Sequence, residues 1–170
     1  MIVERFYPDE YVDSTYGIDF EKLRKRGIRG LLFDIDNTLV PHGKPATKES
    51  VELFQRLHEL GFETCLISNN QKPRVEPFAK AMKTRYLYNA HKPSPKNYLL
   101  AMEKMGTGLT DTVFIGDQLF TDVWGAKKAG IYSILVKPIH PKEEIQIVLK
   151  RRLERIVLYF YKKSLKKTTI

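Results

Sequence analysis

Asp34 and Asp36, in the segment Leu31-Leu32-Phe33-Asp34-Ile35-Asp36-Asn37-Thr38-Leu39, are the residues whose types and spacing most plainly suit chemistry. In extended backbone, residues i and i+2 point to one side, so both carboxylates face one spot. A carboxylate with a solution pKa near ~3.9 is ionised at neutral pH and can attack phosphorus without a base to activate it. Asp34 is therefore expected as a nucleophile that forms an aspartyl-phosphate. The leaving oxygen then needs a proton, which a second carboxyl of raised pKa can supply before it activates water. Asp36 is placed for that work. Two acids repel a phosphate dianion, so a cation is required. A hard Mg²⁺ suits carboxylate and phosphate oxygens, with Asp117 as a further ligand from a neighbouring strand. Lys92 is a point charge able to hold the phosphoryl group and offset Asp34. The Ser68 hydroxyl, with Asn69 and the backbone N–H groups of the turn that follows, can bind the remaining phosphate oxygens.

Those residues need elements to bring them together. Apolar runs at 30–34, 63–68, 85–88, 112–116 and 132–136 are expected strands. Helical patterns lie between and after them, at about 48–60, 73–83, 95–105, 119–129 and 142–164. Gly61 and Gly130 suit the left-handed residue that ends a helix, and Ser94-Pro95 suits a helix start. Strands alternating with helices imply a mainly parallel sheet with helices on both faces. The expected fold class is thus α/β, a Rossmann-like three-layer α/β/α sandwich of about five strands without a cap domain. Residues 1–29 read as a loop and short helix covering an edge of this single domain. Four polar clusters follow four of the strands: Asp34/Asp36, Ser68-Asn69-Asn70, His91-Lys92-Pro93, and Gly116-Asp117 with Thr121-Asp122. Parallel strands end on one edge of a sheet, so the clusters should converge there.

Composition narrows the setting. The 170 residues suit one domain with a real core. No apolar stretch approaches the ~18–20 residues that span a bilayer, and the first residues lack a secretory pattern. The single cysteine, Cys65, cannot form an internal disulfide, which suits a reducing cytoplasm, and its apolar surroundings suit a buried, inert thiol. Net charge is +9, from 29 Lys and Arg against 20 Asp and Glu. Much of that excess lies between Lys142 and Lys167, and such a surplus favours polyanions. His42, His58 and His140 show no ligand spacing and read as loop or surface residues, His91 as a turn residue and Trp124 as core.

The set as a whole resembles the haloacid dehalogenase (HAD) superfamily of phosphatases. Asp34-Ile35-Asp36-Asn37-Thr38 is similar to its first motif, Ser68 to its second, Lys92 to its third, and Gly116-Asp117 through Asp122 to its fourth. The resemblance implies Asp34 as nucleophile and Asp36 as acid and base. It implies Mg²⁺ held by Asp34, the backbone carbonyl of Asp36, and Asp117, with Asp122 ordering the groups around it. The run Gly116-Asp117-Gln118-Leu119-Phe120-Thr121-Asp122-Val123 resembles the YqeG-like, capless members. These are similar to phosphatases that convert phosphatidylglycerophosphate to phosphatidylglycerol.

About 30 residues separate Asp36 from Ser68 and about two dozen separate Ser68 from Lys92. Each gap is filled by one helix, leaving no room for a cap of ~50 residues or more. An open site favours a substrate presented on a surface, so a phospholipid headgroup on an anionic membrane is the expected target. In the basic 142–170 segment, Ile145, Val148, Leu149, Leu153, Ile156, Val157 and Phe160 share one side of a helix, while Ile147, Leu158 and Leu165 form a thinner second stripe. Packing of that helix on the sheet is the first expectation and contact with lipid the second; a dimer or RNA contact is the third. Phe120 is a candidate for lining an apolar entrance, and Asn69 and Asn70 are expected to cap the next helix. Alternatives to the lipid reading are a phosphatase of nucleic-acid ends or small molecules, and a non-catalytic protein binding RNA or another partner.

Overall fold

Six short strands, all paired in parallel, form the sheet of the computed structural model, which describes residues 2–140 and 145–168. β1 (Glu10–Val12) and α1 (Phe20–Lys25) come from the N-terminal segment. Then β2 (Gly30–Phe33) leads to α2 (Lys48–Glu59), β3 (Glu63–Ile67) to α3 (Lys72–Met82) and β4 (Arg85–Leu87) to α4 (Lys96–Met105). β5 (Thr112–Gly116) leads to α5 (Trp124–Ala129), and β6 (Tyr132–Val136) to α6 (Ile145–Thr168). The order across the sheet is β1-β6-β5-β2-β3-β4. The chain runs outward from β2 to β4 and then crosses to β5, on the other side of β2. That reversal opens a crevice between β2 and β5 at their carboxyl ends, where open α/β sheets bind ligands.

Alternation along the strands builds two cores. Leu31, Phe33, Leu66, Val113 and Ile115 face one side, where Phe20 of α1, Phe54 and Leu57 of α2, and Val75 and Phe78 of α3 cover them. Leu32, Cys65, Ile67 and Phe114 face the other, under Tyr98 and Met102 of α4 and Ala126 of α5. The Phe33 and Phe54 rings sit 5.1 Å apart. Thr47 starts α2 with a reciprocal capping box to Ser50, and Gly61 follows its end in the left-handed region at φ 83°. Between β2 and β3, and between β3 and β4, the chain holds one helix each and no inserted domain.

Several boundaries differ from the sequence reading. The sheet has six strands, because Glu10–Val12 pairs with β6; three half-buried residues are too few to show alternation. Ser94 does not cap α4, whose preceding residue is Pro95 without a side-chain cap bond. Asn69 and Asn70 do not cap α3 either, which Gln71 precedes. The expected helix at 119–129 is a π-helical turn, Leu119–Val123, followed by α5. Tyr98 Oη donates to the Thr121 and Asp122 carbonyls of that turn, at 3.1 and 3.3 Å. Gly125 makes the approach feasible, since a Cβ there would lie 2.3 Å from the Tyr98 hydroxyl. Trp124 is half-buried, edge-on to Phe6 at 5.2 Å. The expected start of the last helix at 142 lies outside the described residues, and the helix runs on to Thr168.

The largest difference is the way α6 packs. Arg151, Glu154, Val157, Leu158 and Tyr161 turn inward, with Val157 and Leu158 joining Leu119, Val123 and Leu135. Of the stripe expected to cover the sheet, Val157 does pack inward, whereas Val148, Leu149, Leu153, Ile156 and Phe160 face outward.

Candidate active site

Four groups meet at the β2/β5 crevice. Asp34 continues β2, its N–H still donating to Ile115 of β5 at 3.0 Å. Asp117 directly follows β5, and Asp122 lies in the π-helical turn. Carboxylate oxygens of Asp34, Asp117 and Asp122, all three buried, come within 4.8 Å of one another. Lys92 enters from beyond β4, and its Nζ donates to Asp34 Oδ1 and Asp122 Oδ1, each at 2.7 Å. Asp122 Oδ2 accepts from the Asp117 and Gln118 N–H groups at 3.1 Å. This fold-back needs Gly116, where a Cβ would lie 2.5 Å from Asp122 Oδ2. Thr38 Oγ1 donates to Asp117 Oδ1 at 3.1 Å.

Burial sets the electrostatics. It raises Asp34 to about 7, against the pull of Lys92 and with Asp122 adding to the rise. Asp117 is raised well above the usual carboxylate range by burial, then by Asp122 and Asp34, with Arg151 opposing. Burial alone would lower Lys92, but Asp122 and then Asp34 outweigh it and raise its pKa. The solution value expected from the sequence does not hold for Asp34. In the folded chain its ionisation rests instead on Lys92 and on any further cation beside it. Three close, buried carboxylates with hard oxygen donors fit a divalent cation, which would offset the charge that Lys92 and Arg151 leave uncompensated.

Asp36 lies across a small pocket of about 210 Å³ that Asp34, Ser68, Asn69, Asn70 and Lys92 also line. Its carboxylate accepts from the Gly43 N–H at 2.7 Å, Asn70 Nδ2 at 2.7 Å and Arg74 Nη2 at 2.9 Å. Asn69 clamps the Lys92 backbone, accepting from its N–H at 2.7 Å and donating to its carbonyl at 3.2 Å. Ser68 Oγ accepts from the Asn70 N–H at 3.1 Å. The structure therefore gathers Asp34, Asp36, Ser68, Asn69 and Lys92 around one pocket, with Asp117 and Asp122 behind its floor.

Sequence reasoning missed several neighbours. Arg74 of α3 holds Asp36. Arg151 of α6 is ion-paired through Nη2 to Asp117 Oδ2 and donates through Nη1 to the Asp117 carbonyl and, at 2.9 Å, to Glu154. Glu154 also accepts from the Leu119 N–H at 2.8 Å. The available signal was Glu154 itself, the only acid between Ile145 and Thr168. Lys150, His42, Gln118 and Thr121 line the pocket mouth. Phe120 packs edge-on against Phe6 at 5.1 Å and does not line that pocket, so it forms no entrance there. His91 is an exposed turn residue at φ 51°, and His58 bonds Thr64 at 2.9 Å, far from the crevice. Cys65 is buried and its thiol is pushed up to about 12 by burial, as suits an inert core thiol.

Comparison with known proteins places the chain in a family. The profile of the haloacid dehalogenase-like hydrolases matches residues 43–130, just over half of the chain. The chain is also 36% identical over 165 residues to a Bacillus subtilis (strain 168) protein named probable phosphatase YqeG, covering 96% of each. This chain belongs to the haloacid dehalogenase-like hydrolase family. The profile match begins after Asp34 and Asp36, and it is the Bacillus relative that extends the likeness over nearly the whole chain. A second relative, phosphatidylglycerophosphate phosphatase 1 of Arabidopsis thaliana, is 29% identical over 94% of this chain, which spans 48% of that enzyme's length. The expectation of a phosphatase of the haloacid dehalogenase type stands on the family and these two relatives together.

Among solved structures, a hypothetical protein from Xanthomonas campestris superposes with TM-score 0.56 at 15% identity over 76% of this chain and 75% of that one. The cobalt-bound deoxy-D-mannose-octulosonate 8-phosphate phosphatase of Haemophilus influenzae gives 0.54 at 14% identity, over 68% and 70%. At such identities they share the fold.

Proposed function

We propose that this chain is a Mg²⁺-dependent phosphomonoesterase working through an aspartyl-phosphate on Asp34, with the headgroup of phosphatidylglycerophosphate or a similar phospholipid as favoured substrate. The observation that carries the reading is the junction of Asp34 with Lys92 at 2.7 Å beside two further buried carboxylates, opening on a pocket. Asp34 forms a bond to phosphorus as the ester P–O bond breaks. Asp36, across the pocket, gives the leaving oxygen a proton. It then takes one from the water that attacks phosphorus and releases phosphate from Asp34. Lys92 holds Asp34 charged and in place, while Ser68 and the turn after it bind the phosphoryl oxygens. Asn69 supports that job by fixing the Lys92 backbone. Asp34, the Asp36 carbonyl and Asp117 would hold Mg²⁺, which lowers the charge barrier to an approaching dianion, and Asp122 orders the cluster by binding Lys92 and two N–H groups.

The substrate assignment draws on the absence of an inserted domain over the pocket and on the relative named for phosphatidylglycerophosphate. A lipid headgroup at a membrane surface can enter such an open mouth. The corresponding place of work is the cytoplasmic face of a membrane; among the described residues, no helix is long and apolar enough to cross one. The test is phosphate release from an aryl phosphate and from phosphatidylglycerophosphate, sugar phosphates and oligonucleotide ends. Asp34→Asn should lower turnover by about a thousandfold or more, and a chelator should abolish it until Mg²⁺ is restored. Activity that survives in Asp34→Asn would remove the nucleophile assignment, and faster turnover of sugar phosphates or oligonucleotide ends would remove the lipid.

A further inference from the structure

We infer that the outward stripe of α6, Leu149, Leu153, Ile156 and Phe160, is a docking surface for an anionic lipid bilayer. The inference deepens the lipid-substrate reading and rests on it for its biological purpose, though not for its geometry.

These four residues stand at i, i+4, i+7 and i+11, one continuous band along the helix. They are 63%, 54%, 55% and 38% exposed, against 6% and 7% for Val157 and Tyr161 on the packed face. A contiguous exposed apolar band, as distinct from scattered apolar residues, marks an interaction site. Its flanks say what kind. At 100° per residue, Arg152 and Lys163 border the band on one side, with Arg155 and Lys166 behind them, and all four are exposed. Of the residues from Ile145 to Thr168, eight are Lys or Arg and one, Glu154, is acidic. Glu154 is buried on the opposite face, committed to Arg151 and the Leu119 N–H.

That charge pattern selects the occupant. A second copy seated on the same stripe would set the two basic flanks against each other with no exposed acid on either helix to answer them. An anionic bilayer answers both parts, taking the apolar band into the acyl boundary and the basic flank among its phosphates. Long Lys and Arg side chains reach from such a helix to the headgroups while their stems lie on apolar surface. The docked orientation also serves the site. Lys150, about a quarter turn round the helix from the stripe, lines the mouth of the pocket that holds Asp34 and Asp36. A bilayer on the stripe would lie alongside that mouth, and a headgroup could enter without leaving its membrane.

The experiment is flotation of the full chain with vesicles of phosphatidylcholine alone and of phosphatidylcholine mixed with phosphatidylglycerol. Phosphatidylglycerol has no terminal phosphomonoester, so docking is read apart from substrate binding. The chain should float with the mixed vesicles, not with neutral ones, and less at high salt. The double variant Leu153→Glu/Ile156→Glu should float about tenfold less or weaker still, while keeping its melting temperature and its turnover of a soluble aryl phosphate. Arg152→Glu/Lys163→Glu should lose binding to the mixed vesicles and leave the fold intact. Absence of flotation, flotation unchanged by the stripe variants, or a dimer in solution that Leu153→Glu/Ile156→Glu dissolves would each overturn the inference. Phosphate release from detergent-dispersed phosphatidylglycerophosphate, measured in parallel, separates the two readings: release without flotation refutes the docking surface alone, and flotation without release refutes the substrate alone.

Discussion

α2 and α6 are both amphipathic, yet one turns its apolar residues inward and the other turns a band of them out. α2 lies against the β2 face where Leu31 and Phe33 present an apolar surface that needs covering, and Phe54 and Leu57 bury themselves there beside Phe20 of α1 and Phe78 of α3. α6 lies at the carboxyl edge of the sheet, where the groups that need partners are polar: the Asp117 carboxylate, its carbonyl and the Leu119 N–H. Arg151 and Glu154 satisfy them. Leaving a buried carboxylate or N–H unpaired costs more than leaving a few exposed aliphatic side chains in water. Helical periodicity therefore tells that a helix has an apolar side and says nothing of what the helix will meet.

Three measurements can break or sharpen that contrast. Phe54→Ala on α2 should destabilise the fold most, by about 4 kcal/mol, because a fully buried ring leaves a cavity against Phe33. Equilibrium denaturation would read it, and a loss below about 1 kcal/mol would mean that α2 is not anchored as described. Arg151→Met should cost about 3 kcal/mol by stranding Asp117 with one donor fewer. On the functional reading, saturating Mg²⁺ should shrink that deficit, since the cation answers the same carboxylate. A deficit that Mg²⁺ leaves untouched would argue that Asp117 is not a ligand. Leu153→Ser should change stability least, by under about 0.5 kcal/mol, as befits an exposed position. A loss as large as that of Phe54→Ala would show that the stripe is covered in the monomer.

Much of the fold was legible because its signals are local. The apolar runs at β2 and β5, the glycines after α2 and α5, and the polar residues behind each strand all sit within a few residues of the feature they mark. Parallel strands then carry local information to one edge, so Asp34, Ser68, Lys92 and Asp117 could be grouped without coordinates. β1 was not legible, as three residues show no period. The break in the helix expected at 119–129 was not legible either. It depends on Tyr98 Oη reaching the Thr121 and Asp122 carbonyls from another helix.

By itself the sequence determined which acids, which lysine and which serine belong to one site, and that nothing is inserted between the strands to cover it. Only the tertiary structure decided how those groups behave. Burial raises Asp34 to about 7 while Lys92 pulls it down, and no residue adjacent in sequence supplies either effect. Arg74 is fixed on Asp36 and Arg151 on Asp117 by helices far along the chain. The outward stripe of α6 follows from that last contact. A helix has one rotation about its axis, and once Arg151 and Glu154 take up the partners at the crevice, Leu149, Leu153, Ile156 and Phe160 have nowhere to face but out.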